Sequence, residues 1–349
     1  MPAARIGPIE GPTVLGTGTA FPPLELDNVE VLTRIAARQG KAMSPERLAF
    51  AAKALESEYG LSRRAWSHEV GQPLDPANEL TSVDLGERAA RAALSDAGVG
   101  AEEIAVLLVA TSSPHRMTST VSAAVAARLG VRALCFDVRA GCAAGLFALS
   151  TAALYVAAGT GPALVIGSET FSKVIPPDYK DSVMSMADGA GALVLGTGEG
   201  ALLSAFMETD GSLGHLVNTP GPMPPVVEAI EQGGYFLAGD PAGLKEAIPG
   251  AYLAAVQGAL GHAGVSAGDV DAYVPHQVGR QVVEGVCAAV GISLERAWIA
   301  PERHANVGAA GWLVALAEAR AEGFVRSGQR VALASVGGGM SWAGAVIRL

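Results

Sequence analysis

The chain has 349 residues, 50% hydrophobic and 17% charged, which suits one or two well-buried globular domains. A formal net charge of −10 argues against a nucleic-acid partner, and polar residues interrupt every long apolar run, so no membrane span is expected. Cys135, Cys142 and Cys287 have no framework spacing, and no apolar segment follows the first basic residue, which predicts a reduced, cytoplasmic protein without a signal peptide.

In chain order, GTGTA (Gly16–Ala20) reads as the end of a first strand and its turn; no phosphate-loop lysine follows it. Ala36–Glu56 reads as one amphipathic helix, and Ser82–Ala97 as a second helix. Val106–Ala110 and Leu164–Gly167 are short apolar runs bounded by turns, the mark of strands covered on both faces. Ala143–Ala158 has helical composition, and MADGAGALVLG from Met186 reads as a closely packed helix-to-strand connection. The last 18 residues, ALASVGGGMSWAGAVIRL, place three glycines between two apolar strands.

The chain also repeats itself. ALSDAGVGAEEIAVLLVA from Ala93 and ALGHAGVSAGDVDAYVPH from Ala259 share a pattern 166 residues apart, and AAGLFAL from Ala143 matches AAGWLVAL from Ala309 at the same offset. A third pair, from Gly161 and Ser327, lies within one residue of that shift. Two α/β halves, 1–198 and 199–349, are expected to stack as helix, sheet, helix, sheet, helix, with a site where strand ends and helix starts of both halves meet.

Three side chains fit that site. Cys142 opens the helix at Ala143, where the helix dipole should favour a thiolate. Gly308 is its counterpart in the repeat, and Asn306 stands just before it. His276 ends the strand that mirrors Val106–Ala110. Taken singly, the cysteine would pass for a small buried hydrophobe and the histidine for a satisfied polar residue; together they suggest a nucleophile with two polar assistants. A backbone N–H of the 337–339 glycine turn could complete an oxyanion hole with that of Cys142.

At these residues the chain resembles the thiolase-like condensing enzymes, and within them the β-ketoacyl-acyl-carrier-protein synthase III family. The motifs run nearly end to end: VLGTGTAFPP, VATSSP, FDVRAGCAAG, MADGAGALVLG, VPHQVG, RHANVGAAG and GGGMSWAGA. The resemblance implies an α/β, thiolase-like, five-layered αβαβα fold of two duplicated halves. It implies that Cys142 takes an acyl group from a thioester. His276 and Asn306 then polarise the carbonyl of a malonyl-type extender for decarboxylation, and Cys142 and Gly338 hold the oxyanion through their N–H groups. It also implies no metal and no cofactor beyond the substrates, which are thioesters of acyl-carrier-protein phosphopantetheine or coenzyme A. An acyl carrier protein is the expected partner, and a homodimer with its interface near Met117–Ala127 the expected assembly.

The departures from the family pattern carry expectations too. Ala54 and Glu58 stand where coenzyme-A-primed relatives have a tryptophan and an arginine, which implies a weakened coenzyme A site. Gly279 and Gln281 replace an asparagine and an arginine, with Arg280 between them as a substitute. Thr118 stands where straight-chain enzymes carry a phenylalanine that closes the acyl pocket, so a substrate larger than acetyl is expected. Arg63, Arg64, Lys173 and Arg280 are candidates for a basic rim that meets the carrier protein. His304 reads as structural. These departures point to specialised metabolism of polyketide or fatty-acid-derived chains. The alternatives are acyl transfer to an alcohol or amine without condensation, with His276 as general base, and an inactive partner subunit, against which the retention of all three residues argues.

Overall fold

The computed structural model describes residues 3–349, apart from the side chain of Glu58. Ala4–Ile6 (β1) and Ile9–Ala20 (β2) come first, and β2 runs straight through the GTGTA segment expected to turn. A Cβ on Gly16 or Gly18 would lie 2.3 or 2.4 Å from backbone of the helix over 82–97, so these glycines mark where that helix is pressed onto the strand. A small hairpin, Leu24–Asp27 (β3) with Arg63–Trp66 (β4), brackets two helices, Asn28–Arg38 (α1) and Pro45–Tyr59 (α2). The single helix expected over Ala36–Glu56 is therefore two. Ser44 caps the second by accepting from the Arg47 N–H, Pro45 sits in the first turn where no N–H is needed, and Gly60 ends it with φ 70°.

Ser82–Ala97 (α3) has the expected bounds, set by a capping box between Thr81 and Asp84 and by Gly98 at its end. Then come Val106–Ala110 (β5), Val121–Leu129 (α4), Leu134–Val138 (β6), Ala144–Ala157 (α5) and Ala163–Thr170 (β7). Asp137 of β6 accepts from the N–H groups of Val121 and Ser122, which fastens the start of α4. Lys180–Ser185 (α6) leads into the long strand Asp188–Thr209 (β8). Val217–Asn218 (β9), Val227–Glu231 (α7) and Ala238–Gly239 (β10) form a hairpin outside the main sheet. Pro241–Ala263 (α8), Ala272–Pro275 (β11), Arg280–Val290 (α9), Pro301–His304 (α10), Gly311–Ala321 (α11), Arg330–Gly337 (β12) and Ser341–Arg348 (β13) complete the chain.

Strand β8 carries both sheets. Its first part lies between β7 and β2, giving the order β6-β5-β7-β8-β2. Its second part lies between β13 and β1, giving β11-β12-β13-β8-β1. The boundary expected at 198/199 thus falls inside one strand, with no linker. The repeat is visible in detail: β5 and β11 each pair in parallel with the strand that follows the central helix of their half, and the helix-ending glycines are Gly98 and Gly264. The counterpart of β6 has shrunk to a single bridge between Tyr273 and Ala297.

Helices α5 and α11 form the middle layer between the sheets. Leu146 and Leu149 of α5 share one buried cluster with Trp312, Leu313 and Leu316 of α11 and with Val165 and Leu333 of the two sheets. Each such side chain contributes about 1.5–3 kcal/mol on burial. The two helices start almost in contact: a Cβ on Gly145 would be 2.4 Å from Trp312 Nε1 and 2.7 Å from the Ala309 carbonyl. Their N-termini therefore open into one crevice.

Candidate active site

Cys142 sits in the turn between β6 and α5. Gly141 before it is left-handed (φ 55°), and a Cβ there would lie 2.4 Å from Gly338 N. A Cβ on Gly337 would lie 2.2 Å from Cys142 N. The 337–338 turn is thus laid backbone to backbone on the cysteine turn, and the amide nitrogens of Cys142 and Gly338 come to one spot. Strand β12 holds the cysteine and the histidine from neighbouring residues: Ser335 donates its hydroxyl to the Cys142 carbonyl at 2.8 Å, and the His276 N–H donates to the Ala334 carbonyl at 2.8 Å.

His276 follows β11 and is fully buried, and neither ring nitrogen has a hydrogen-bond partner among the described residues. The ring lies against Gly311, where a Cβ would be 2.0 Å from Nδ1, and the Tyr252 hydroxyl donates to the His276 carbonyl at 3.2 Å. Burial pushes the imidazole down to about 4, so at neutral pH it is uncharged. Ring nitrogens without a protein partner in a buried site leave hydrogen-bonding capacity that a substrate can use.

Asn306 lies between α10 and the Gly308–Ala310 turn that leads into α11. Its N–H donates to Ser185 and its carbonyl accepts from Ala187, both at 2.9 Å. Its side-chain Oδ1 accepts from the Gly308 N–H at 2.8 Å, which leaves Nδ2 as the donor available to a ligand. Ala305 just before it is held at φ 55°, a strained conformation of the kind that clusters at functional sites.

A fourth group was not foreseen. Glu169, near the end of β7, is fully buried beside the Gly308 turn, where a Cβ on Gly308 would be 3.0 Å from Glu169 Cγ. Burial pushes its carboxyl up to about 7. The signal in the sequence is a lone acid next to the end of a fully buried strand, ALVIGSET. Glu169 also bears on the sulfur. The expected lowering of the Cys142 thiol by the helix N-terminus is overturned: burial first, then the charge of Glu169, push it up to about 12. Part of the cysteine residue still meets solvent.

A cavity of about 400 Å³ adjoins the crevice. It is lined by Val278 and Gly279 just past His276, by Gln281, by Ser185, which binds the Asn306 backbone, and by Tyr59 and Lys245. The three reactive side chains themselves do not line it.

The remaining candidates divide. Arg63 and Arg280 are exposed, the latter between Glu284 and Glu302 at 3.7 and 3.5 Å. Arg64 is not a rim residue: it is the inward neighbour of Arg63 on β4, 1% exposed, with Nη2 donating to Asn28 Oδ1 at 2.6 Å and its guanidinium pushed down to about 10 by burial. Lys173 is largely covered and pairs with Glu79 at 3.5 Å, so it does not belong to the rim either. Thr118 is exposed on the loop after β5 and is not among the residues that line the 400 Å³ cavity. Ala54 is exposed on α2, and the Glu58 side chain lies outside the described residues. His304 pairs with Glu318 at 2.7 Å and stacks on Phe21 at 4.0 Å.

Comparison with known proteins bears on the same features. Residues 136–211 match the family model described as 3-oxoacyl-acyl-carrier-protein synthase III, and residues 260–349 match the C-terminal model of that family. The β-ketoacyl-acyl-carrier-protein synthase III of Ruegeria pomeroyi is 34% identical over 303 residues, 84% of this chain and 89% of the relative. Among solved structures, 3-oxoacyl-(acyl carrier protein) synthase III of Pseudomonas aeruginosa is 26% identical with a TM-score of 0.83, covering 97% of this chain and 98% of that one. The priming β-ketosynthase of a polyketide biosynthetic pathway is 27% identical with a TM-score of 0.82, covering 99% of both chains.

Proposed function

Since the chain belongs to the β-ketoacyl-acyl-carrier-protein synthase III family of acyltransferases, we propose that it joins an acyl group held on Cys142 to a malonyl-type thioester on an acyl carrier protein. In the first half-reaction the sulfur attacks a thioester carbonyl. The thiol proton passes to the leaving thiolate as the new thioester forms on Cys142. In the second, a ring N–H of His276 and Nδ2 of Asn306 donate to the extender carbonyl. Carbon dioxide leaves, the electron pair goes into the enolate, and the enolate carbon attacks the acyl-cysteine carbonyl, whose bond to Sγ then breaks to release the product and return the Cys142 sulfur as a thiolate, which takes up a proton. The oxygen of each tetrahedral intermediate is held by the N–H groups of Cys142 and Gly338.

The observation that carries this reading is the buried imidazole with two unpartnered ring nitrogens, held by β12 beside the residue that holds Cys142. The experiment is incubation with acyl-coenzyme A or an acyl carrier protein thioester, followed by a malonyl-carrier thioester. A mass gain on Cys142, then carbon dioxide release and a new C–C bond, are expected. Acylation without carbon dioxide, with the acyl group passing to an alcohol or amine, would replace condensation by simple transfer. The exposed Arg63 and Arg280 suit an acidic carrier, and the β6 edge with Leu134 and Met117, 47% and 64% exposed, suits a second copy of the chain.

A further inference from the structure

Glu169 has no part in the steps above, yet it gathers more of the site than any residue in them. Thr111 Oγ1, the N–H groups of Ser112 and Ser113, the hydroxyl of Ser113 and the N–H of Ala309 all donate to its carboxylate, at 3.3, 2.9, 3.0, 2.5 and 3.3 Å. Four of these come from the turn after β5 in the first half; the last comes from the helix start of the second. The Ser113 hydroxyl also accepts from the Thr170 N–H at 2.7 Å, so the network closes on β7 itself. The Gly308 N–H next to Ala309 binds Asn306 Oδ1, so the carboxylate is two links from the amide that faces the extender. Among the described residues its hydrogen-bond partners are all neutral donors, and none of them is a basic side chain. Cys142 is the titrating group on which the Glu169 charge bears.

We propose that Glu169 is a positioning residue for both half-reactions: it ties the 111–113 turn to the start of α11, fixing Asn306, and presents its charge to the sulfur of Cys142. A buried carboxylate met only by neutral donors is held by many hydrogen bonds instead of one ion pair. Such a group loses its charge easily when a donor is removed. The site then has two forms. With Glu169 ionised, its charge adds to burial in holding the thiol protonated; with Glu169 protonated, burial alone remains. This inference rests on Cys142 being the reactive sulfur, but not on the identity of either substrate.

The test is the rate of Cys142 alkylation by iodoacetamide from pH 5.5 to 9, with malonyl-thioester decarboxylation as a second readout. In Glu169→Gln the rate should match wild type below pH 6 and exceed it by about three- to tenfold above pH 8, where the wild-type carboxylate is charged. Decarboxylation should lose about tenfold in kcat with little change in KM, because Asn306 is displaced. Glu169→Asp keeps the charge and should keep the wild-type alkylation profile. Ser113→Ala removes one donor to the ionised form and should move the inflection near pH 7 upward, which decides the matter if the glutamine variant does not fold. A constant ratio of rates across the whole pH range, or an unmoved inflection in Ser113→Ala, overturns the proposal. A wild type that alkylates at Cys142 but never decarboxylates malonyl thioesters would sink the proposed function, while the alkylation profiles would still decide the role of Glu169.

Discussion

The turn Gly141–Ala144 and the turn Asn306–Gly311 are one backbone device used twice. Each has a left-handed glycine with φ 55°, Gly141 and Gly308, and each delivers the start of a middle-layer helix to the same crevice. Their loads differ. In the first the glycine is followed by a sulfur nucleophile; in the second it is preceded by a carboxamide and a strained alanine. The first turn is clamped from outside by the 337–338 glycines, whereas the second is tied from inside by Glu169. Duplication supplied two helix N-termini, and divergence at a few positions set a thiol at one and a carboxamide at the other; in the proposed reaction the first holds the acyl group and the second the enolate.

The sharpest way to break that contrast is Cys142→Ala. Acyl transfer should fall by about a thousandfold or more and the mass gain should vanish, while malonyl decarboxylation, the work of the second turn, survives. Acylation persisting in this variant would dissolve the division of labour. Next is Gly141→Ala, whose Cβ would collide with Gly338 N. Transfer should drop by about 10²–10³-fold if Cys142 and Gly338 form the oxyanion hole, with the substrate KM little changed.

The third test concerns pH. The folded value of His276, about 4, lies below its ordinary 6.5, so the unfolded chain takes up the proton first. The stability gained by keeping the ring neutral is complete above pH 6.5 and lost as pH falls towards 4, by about 3 kcal/mol. Melting temperatures of wild type and His276→Gln should diverge in the variant's favour across that window. Glu169, raised instead of lowered, acts in the opposite direction and is common to both proteins, so it cancels in the difference. The smallest effect is expected on the rim. Arg280→Ala should raise KM for a carrier-protein thioester by about two- to fivefold, more at low salt, and leave KM for a coenzyme A thioester unchanged.

What was legible in the sequence was what local pattern and repetition encode. The bounds of α3, the buried runs β5 and β7 and the 166-residue repeat follow from local pattern, and the repeat is what led to the expectation that Cys142, His276 and Asn306 share one crevice. Ser44-Pro45 is a helix start in plain view, and it divided the helix expected over Ala36–Glu56.

The rest was decided only in three dimensions. Which of Arg63 and Arg64 faces water depends on the register of a four-residue strand, and one step of register reverses every side chain. The charge state of Cys142 depends on a carboxylate 27 positions further along the chain and on how completely the packing removes water. Desolvation and Coulomb energies sum over neighbours in space, so chain order constrains them weakly, whereas hydrophobic period and helix capping are properties of the segment itself.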